Sequence, residues 1–369
     1  MDFTPTEEQE AARELAARIF ADLATHERLR AAGTGSDAEL WKALCAAGLP
    51  GSVEETGLLG LVLLLEEQGR VTAQVPFAVT CVYGILAVAR HGTDEQRTRL
   101  LPGLRDGTTV VTGAFPASGA VTSREGRLSG TVDWVPWLRD ATHVLVPDED
   151  HALWLVRTED AARVDPVELT APWSAGRLVL DEAAGERLGE AAGERLGGAA
   201  GERLGEAETE GQRRPVKGAA YADVLGAARV AFAGLQAGVC AGSLARAVEY
   251  TSVREQFGRP LSTHQAVQLR AADAHMDTET IRVTAYEAAW RHDEELDARG
   301  AALTAAWWAS EAGKRVVHAG QHLHGGMGAD LDHPVHRHFL WGRQLDAYLG
   351  CGTELLAELG DLLAEGDLS

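Results

Sequence analysis

The sequence predicts a mainly α-helical protein with a β domain at its centre, and two changes of periodicity along the chain are the reason. Apolar residues recur at helical spacing through residues 1–107, give way to short β-branched runs within 108–218, and return to helical spacing over 219–369. At 369 residues the chain is too long for one ordinary core and suits two or three packed domains. These three stretches are the expected domains.

In the first stretch, Thr4 and Thr6 are N-cap candidates ahead of apolar Ala11, Leu15 and Ile19. WKALCAAGLP predicts a helix stopped by Gly48 and Pro50. GLLGLVLLLEEQGR is apolar nearly all round, the mark of a buried helix, and ends at Gly69. HGTDEQRTRLLPGLRDG predicts a short helix begun near Thr93 and closed by Pro102 and Gly103. In the middle stretch VVTGAF, GRLSGTVDWV, THVLVP and HALWLV, separated by Gly, Pro and Asp, predict antiparallel strands. Residues 183–206 hold an eight-residue unit three times, AAGERLGE, AAGERLGG and AAGERLGE. Two glycines per unit disfavour a helix and the period is far below that of solenoid repeats, so a surface loop is expected. Helical period then resumes in a small-residue-rich helix from Ala219 through Gly242 and Val253. Further helices are expected at about Thr263 to Arg291, Ala301 to His322 and Arg337 to Leu363.

Composition narrows the function. The net charge of -21, from 34 basic and 55 acidic residues, repels a phosphate backbone and argues against nucleic acid as a partner. Cys45, Cys81, Cys240 and Cys351 form no CxxC pair and are expected as free thiols. The His322/His324 and His336/His338 pairs lack the i, i+4 spacing of a helical zinc pair, so no metal is expected. MDFTPTEEQEAARELA is acidic and polar, unlike a signal peptide, and the apolar run Leu58 to Leu65 is shorter than the ~20 residues a membrane helix needs. A cytoplasmic protein with no membrane partner is the expectation.

Three segments carry a family resemblance: LLEEQGR with HGTDEQRTRLLPGLRDG, then VREQFGRPLSTHQAVQLRAADAHM, then QHLHGGMGADLDHPVHRHF. The second is similar to an R-x-x-F-G-x-x-(I/L)-x-x-x-Q motif and the third to Q-x-x-G-G-x-G. Together with the order of domains they resemble the acyl-CoA dehydrogenase family. The resemblance implies an N-terminal helical domain, a middle β-barrel domain and a C-terminal four-helix bundle, assembled with other subunits around FAD. The implied chemistry is α,β-desaturation of an acyl-CoA thioester. A carboxylate takes the weakly acidic α-proton and the flavin accepts hydride. Electron-transfer flavoprotein is an implied electron acceptor.

Residue by residue, the resemblance carries FAD contacts onto Arg254, Gln256, Phe257, Leu261, His264, Val267, Gln321, His322, Gly325 and Gly326. A guanidinium fork suits a pyrophosphate oxygen pair, and glycines let the backbone come close. Gln321 stands one residue too far from the glycines, and His322 occupies the family glutamine's distance. In the family these contacts reach a flavin held mainly by the neighbouring subunit. The segments that grip a subunit's own flavin are altered. VTGAFPASGAV replaces T-E-P-x-x-G-S-D, and Trp134-Val135-Pro136 replaces W-(I/V)-T, with a proline that offers neither hydroxyl nor N–H.

Both family positions for the catalytic base are also changed: Leu349 follows Tyr348 where Y-E-G carries glutamate, and Ala228 precedes Arg229. Asp332 is the one weak substitute. Contacts for a neighbour's FAD are kept and those for its own are lost, as expected of the non-catalytic subunit of an α2β2 complex. Actinobacterial steroid side-chain acyl-CoA dehydrogenases are similar in this respect. Two other readings stand beside it: a self-sufficient homotetramer with a displaced carboxylate, and a flavin-free scaffold subunit.

Overall fold

The computed structural model describes residues 2–116, 119–189, 218–364 and 366. Seven short to medium helical segments come first: α1 (Glu7–Leu23), α2 (His26–Ala32), α3 (Ala38–Ala46), α4 (Leu49–Val71), α5 (Phe77–Val79), α6 (Ala87–His91) and α7 (Asp94–Asp106), with a π-helical stretch, Thr80–Leu86, joining α5 to α6. Capping boxes start α1 and α7: Thr6 pairs with Gln9, and Thr93 with Gln96. Pro50 begins α4 instead of stopping α3, and Pro102 lies inside α7, which runs on to the left-handed cap at Gly107. A proline near a helix start costs no hydrogen bond, which is why it is a poor stop signal there.

α4 is buried nearly all round, as its sequence predicts, with Leu58, Leu61, Leu63 and Leu64 each 0% exposed. It kinks at Gly57, whose φ of 71° suits glycine. The kink frees the N–H groups of Leu58 and Leu59, and both donate to the carboxylate of Asp293, at 2.8 and 2.9 Å.

The middle domain holds β1 (Val111–Gly113), β2 (Val121–Arg124), β3 (Arg127–Val135), β4 (His143–Pro147), β5 (Leu153–Arg157), β6 (Arg163–Pro166) and β7 (Gly176–Arg187). The order is β1-β4-β5-β7-β3-β2, with β6 also on β7. All pairings are antiparallel except β1 with β4. The long strand β7 corrects the loop expectation for the first octad. Ala183 and Ala184 pair with β3, and Gly185, Glu186 and Arg187 pair with β5. Alternation within the octad buries Ala183 and turns Glu186 to Arg99 and Gln96 of α7. The other two copies lie outside the described residues.

The C-terminal helices are α8 (Ala219–Val253), α9 (Gln265–Asp293), α10 (Arg299–His324), α11 (Val335–Ala347) and α12 (Gly352–Ala364); a two-residue hairpin, β8 (Glu255–Gln256) with β9 (Arg259–Pro260), joins α8 to α9. α8 is long and apolar enough to cross a membrane, but 89% of its apolar window is buried in the fold. It lies close against α4: a Cβ on Gly238 would sit 2.1 Å from the Glu66 carbonyl oxygen. Gln236 faces Gly313, Ser243 faces Gly320, and Tyr250 stacks on His324. The near-constant offset means that α8 and α10 run parallel and end together. The single last helix expected from the sequence is broken in two, because Leu349 and Gly350 take φ of 66° and 114°.

Candidate functional site

The residues at the two expected base positions, Ala228 and Leu349, both lie in a filled cleft of the core where β3, α8 and the break between α11 and α12 come together. Ala228 is fully buried and Leu349 is 3% exposed. Arg229 joins them to α12: its Nε donates to the Leu349 carbonyl at 3.3 Å, and its two Nη groups donate to the Glu358 carboxylate at 2.7 Å each. Glu358 is the functional candidate that sequence reading missed. It stands 129 positions along the chain from Arg229 in an otherwise ordinary amphipathic helix, so no local signal marks it.

Aromatic rings fill the cleft. Tyr348 lies 5.5 Å from Trp134, 4.7 Å from Phe232 and 6.3 Å from Trp173, centroid to centroid. Trp173 continues the cluster to Trp137 at 6.2 Å and Trp341 at 5.5 Å. The Tyr348 and Tyr83 hydroxyls share a hydrogen bond of 2.8 Å, and Tyr83, Phe115 and Tyr221 form a stack with centroids 5.0 and 5.4 Å apart. Burial pushes the pKa of both Tyr83 and Tyr348 upward, which keeps the phenols neutral. Pro136 is buried, and its carbonyl accepts from the Thr112 hydroxyl at 2.5 Å. The indole N–H groups of Trp173 and Trp341 find no acceptor among the described residues.

The other candidate residues gather at the far end of α8. Arg254 caps that helix and is exposed; Gln256 and Phe257 form the hairpin, with Phe257 92% exposed. Leu261, His264 and Val267 follow on one tight turn, where Leu261 N–H donates to the Arg254 carbonyl and Val267 N–H to that of His264. Arg259 donates to Nδ1 of His264 at 3.2 Å. Arginine is only a donor, so Nδ1 must be the acceptor and the proton sits on Nε2. That Nε2–H is buried and has no partner among the described residues.

Gln321, His322, Gly325 and Gly326 lie at the end of α10, which the parallel packing brings to the same end of the bundle. His322 is exposed, and a Cβ on Gly325 or Gly326 would meet nothing within 4 Å. Gln321 is turned inward, donating to the Gly328 carbonyl at 3.3 Å. Asp332 is a surface residue in an ion pair with Arg30 at 2.9 Å, and its carbonyl accepts from His26. None of these contacts reaches the cleft.

The models for the acyl-CoA dehydrogenase N-terminal and C-terminal domains match residues 6–108 and 218–358. Over 398 aligned residues the chain is 33% identical to the acyl-CoA dehydrogenase FadE27 of Mycobacterium tuberculosis, covering 99% of each protein. The chain belongs to the acyl-CoA dehydrogenase family. It is similar to the solved Tcur3481-Tcur3483 steroid ACAD variant, with 40% identity, a TM-score of 0.86 and coverage of 98% of this chain and 99% of that one. It is also similar to a chain of the ChsE4-ChsE5 complex from Mycobacterium tuberculosis, with 32% identity, a TM-score of 0.86 and 99% coverage of both. Butyryl-CoA dehydrogenase of Megasphaera elsdenii, 22% identical with a TM-score of 0.82, shares the fold.

The acyl-CoA dehydrogenase family uses FAD, and this chain suits that group at one place and not at the other. In the cleft, rings pack on rings and Pro136 has no donor to give. At the end of α8, an exposed guanidinium, an orphaned His264 donor and an open glycine turn match the oxygens of a pyrophosphate.

Proposed function

We propose that this chain is the non-catalytic subunit of an FAD-dependent acyl-CoA dehydrogenase, paired with a homologous subunit that supplies the carboxylate base. The observation that carries this reading is the opposition just described: a cleft closed by its own side chains, and a cofactor-facing set left open to the outside. Arg254, Gln256, Phe257, Leu261, His264, Val267, His322, Gly325 and Gly326 would hold the pyrophosphate and adenosine side of an FAD gripped chiefly by the partner. Gln321, committed to Gly328, leaves its family role to His322. Bound there, FAD supplies the hydride acceptor for desaturation. Arg254 neutralises phosphate charge, the His264 Nε2–H donates to a phosphate oxygen, and Phe257 covers the cofactor from water.

The surface supports a partner subunit. Leu269, Met276 and Val283 recur every seventh residue along α9 and are 58%, 60% and 46% exposed. Val253 at the end of α8 is 75% exposed as well. A stripe at heptad spacing suits a second helix laid along it. The similarity to a steroid ACAD and to a two-protein complex supports a steroid side-chain thioester as substrate and an α2β2 assembly. Cytoplasmic location fits the same reading.

Expression of the chain alone, against co-expression with a homologue that keeps the base, tests the proposal. The chain alone is expected to retain little FAD and to turn over no acyl-CoA, while the pair retains both. Stoichiometric FAD with turnover in the isolated chain returns the self-sufficient enzyme. A colourless, inactive complex returns the scaffold.

A further inference from the structure

Among the described residues, the half-buried arginines other than Arg246, and the buried Arg229, have a carboxylate. Arg28 holds Asp37 at 2.9 Å, Arg229 holds Glu358 at 2.7 Å and Arg282 holds Glu66 at 3.0 Å. Arg246, half-buried on α8 two turns before Arg254, makes no hydrogen bond or ion pair with any described residue. Its nearest opposite charge is the exposed Glu249.

The surroundings of Arg246 are neutral imidazole rings and a second guanidinium. One turn along α8, Tyr250 stacks on His324 with centroids 4.9 Å apart, and His324 lies 4.9 Å from His333. Burial first, and the Arg246 charge after it, lower the pKa of His324. Arg337 of α11, 6% exposed, donates only to neutral acceptors: the Thr72 hydroxyl and carbonyl and the Gln74 side chain. Of the two nearby carboxylates, one is paired and the other lies on the side of His333 and His336. Asp332 pairs with Arg30, and Asp330 accepts from the Asp332 N–H at 2.9 Å. In a chain of net charge -21 this corner holds two guanidiniums, Arg246 and Arg337, that contact no carboxylate among the described residues. A guanidinium withdrawn from water without an anion is costly, so the corner has the make-up of an anion site.

The donors are arranged for it. His333 accepts the Val335 N–H on Nδ1 at 3.3 Å, which leaves its Nε2–H free to donate. His324 spends Nδ1–H on the Gly320 carbonyl at 2.7 Å, so its Nε2 becomes a second donor once an anion draws a proton onto the ring. The Gly325–Gly326 turn beside them is open to an approaching ligand.

We propose that Arg246, His324 and His333 bind a phosphate group, forming a subsite beside the glycine turn. The subsite stands on its own geometry. Only one of its two sources, FAD held by the partner, rests on the function proposed above; the other is a free phosphorylated small molecule.

Pyrophosphate titrated calorimetrically into the full-length chain tests the subsite. Saturable binding is expected, weakened about tenfold or more by Arg246→Gln through loss of a charge-assisted contact. His324→Phe keeps the stack on Tyr250, should melt with the parent protein, and should weaken binding as well. It serves as the second variant if Arg246→Gln does not fold. No saturable binding, or equal binding by parent and folded variants, overturns the subsite. In the co-expressed complex, FAD lost on dialysis from Arg246→Gln identifies the dinucleotide as the source. FAD retained, with pyrophosphate binding still weakened, identifies a free phosphate ligand. Full FAD retention in Arg254→Ala would overturn the shared-cofactor reading and leave the pyrophosphate result standing.

Discussion

In the cleft the aromatic side chains look at one another; beyond the end of α8 Phe257 looks outward. Tyr348 is 5% exposed and touches three rings, while Phe257 is 92% exposed and stands on a two-strand hairpin. The arginines divide in the same way. Arg229 is held by Glu358 and the Leu349 carbonyl, whereas Arg254 is exposed on its helix cap. Stability and recognition have thus been separated. The region that would hold a reactive centre is packed, and the region proposed to meet a neighbour keeps exposed polar groups. If this division is right, substitutions in the cleft should cost stability and spare the cofactor, and substitutions at the hairpin should do the reverse.

The largest effect expected is on folding. Trp173, 1% exposed, packs on Trp137, Trp341 and Tyr348, and Trp173→Ala should destabilise the protein by about 3–5 kcal/mol. Denaturant unfolding measures this. The FAD content of the co-expressed complex, assayed well below the melting temperature, should not change. A folded Trp173→Ala complex that has lost its FAD would show that the cleft holds a cofactor after all.

At the hairpin the signs reverse. Arg254→Ala removes a charge-assisted contact of about 1.5–3 kcal/mol, or roughly a tenfold to hundredfold loss of FAD affinity, with little change in melting. Arg254→Lys should recover only part, because an ammonium does not reproduce the fork. FAD titration of the co-expressed complex is the measurement, and unchanged affinity would break the comparison at its recognition end.

How much of this was legible in the sequence differs between the two regions for a physical reason. Arg254 through Val267 lie within one short continuous stretch of chain, so their grouping is local and a motif captures it. The cleft is assembled from α5–α6, β3, the segment before β7, α8 and α11–α12, and nothing in the sequence announces that Trp134, Trp173 and Tyr348 meet. Leu349 and Ala228 are legible as losses; that Arg229 turns to Glu358 is not. The helix break at Leu349–Gly350 escaped because Leu349, a good helix former, adopts a left-handed backbone that propensity does not foresee. The first octad went into a strand because pairing with β3 and β5 overrides the glycines that argue for a loop.

Glu358 and Asp332 sharpen the comparison further, since either could stand in for the missing base. Glu358→Gln takes the anion from a buried guanidinium, but the carboxylate is half-exposed, so the expected cost is about 1–2 kcal/mol. Asp332→Asn breaks an exposed pair and should cost less than about 1 kcal/mol. Steady-state turnover of the complex should be unchanged by both. A Glu358→Gln complex that binds FAD and fails to turn over would make Glu358 the base and this cleft the reactive one.

The smallest effect is expected from the repeat. Deleting Ala191 to Glu206 removes the second and third octads and leaves the first, which supplies the β7 pairings and the Glu186 contact with Arg99. The connection from β7 to α8 is roughly halved, and closure entropy changes by only about 0.6 kcal/mol per factor of two, in the stabilising direction. Melting temperature and oligomeric state should therefore stay close to those of the parent. Glu186→Ala is the control that touches the sheet. It removes the acceptor shared by Arg99 and Gln96 and should lower the melting temperature more than the deletion does. Should the deletion instead lower melting by many degrees or split the complex while Glu186→Ala does not, the later octads carry a structural or partner-binding role. Recognition would then extend beyond the end of α8.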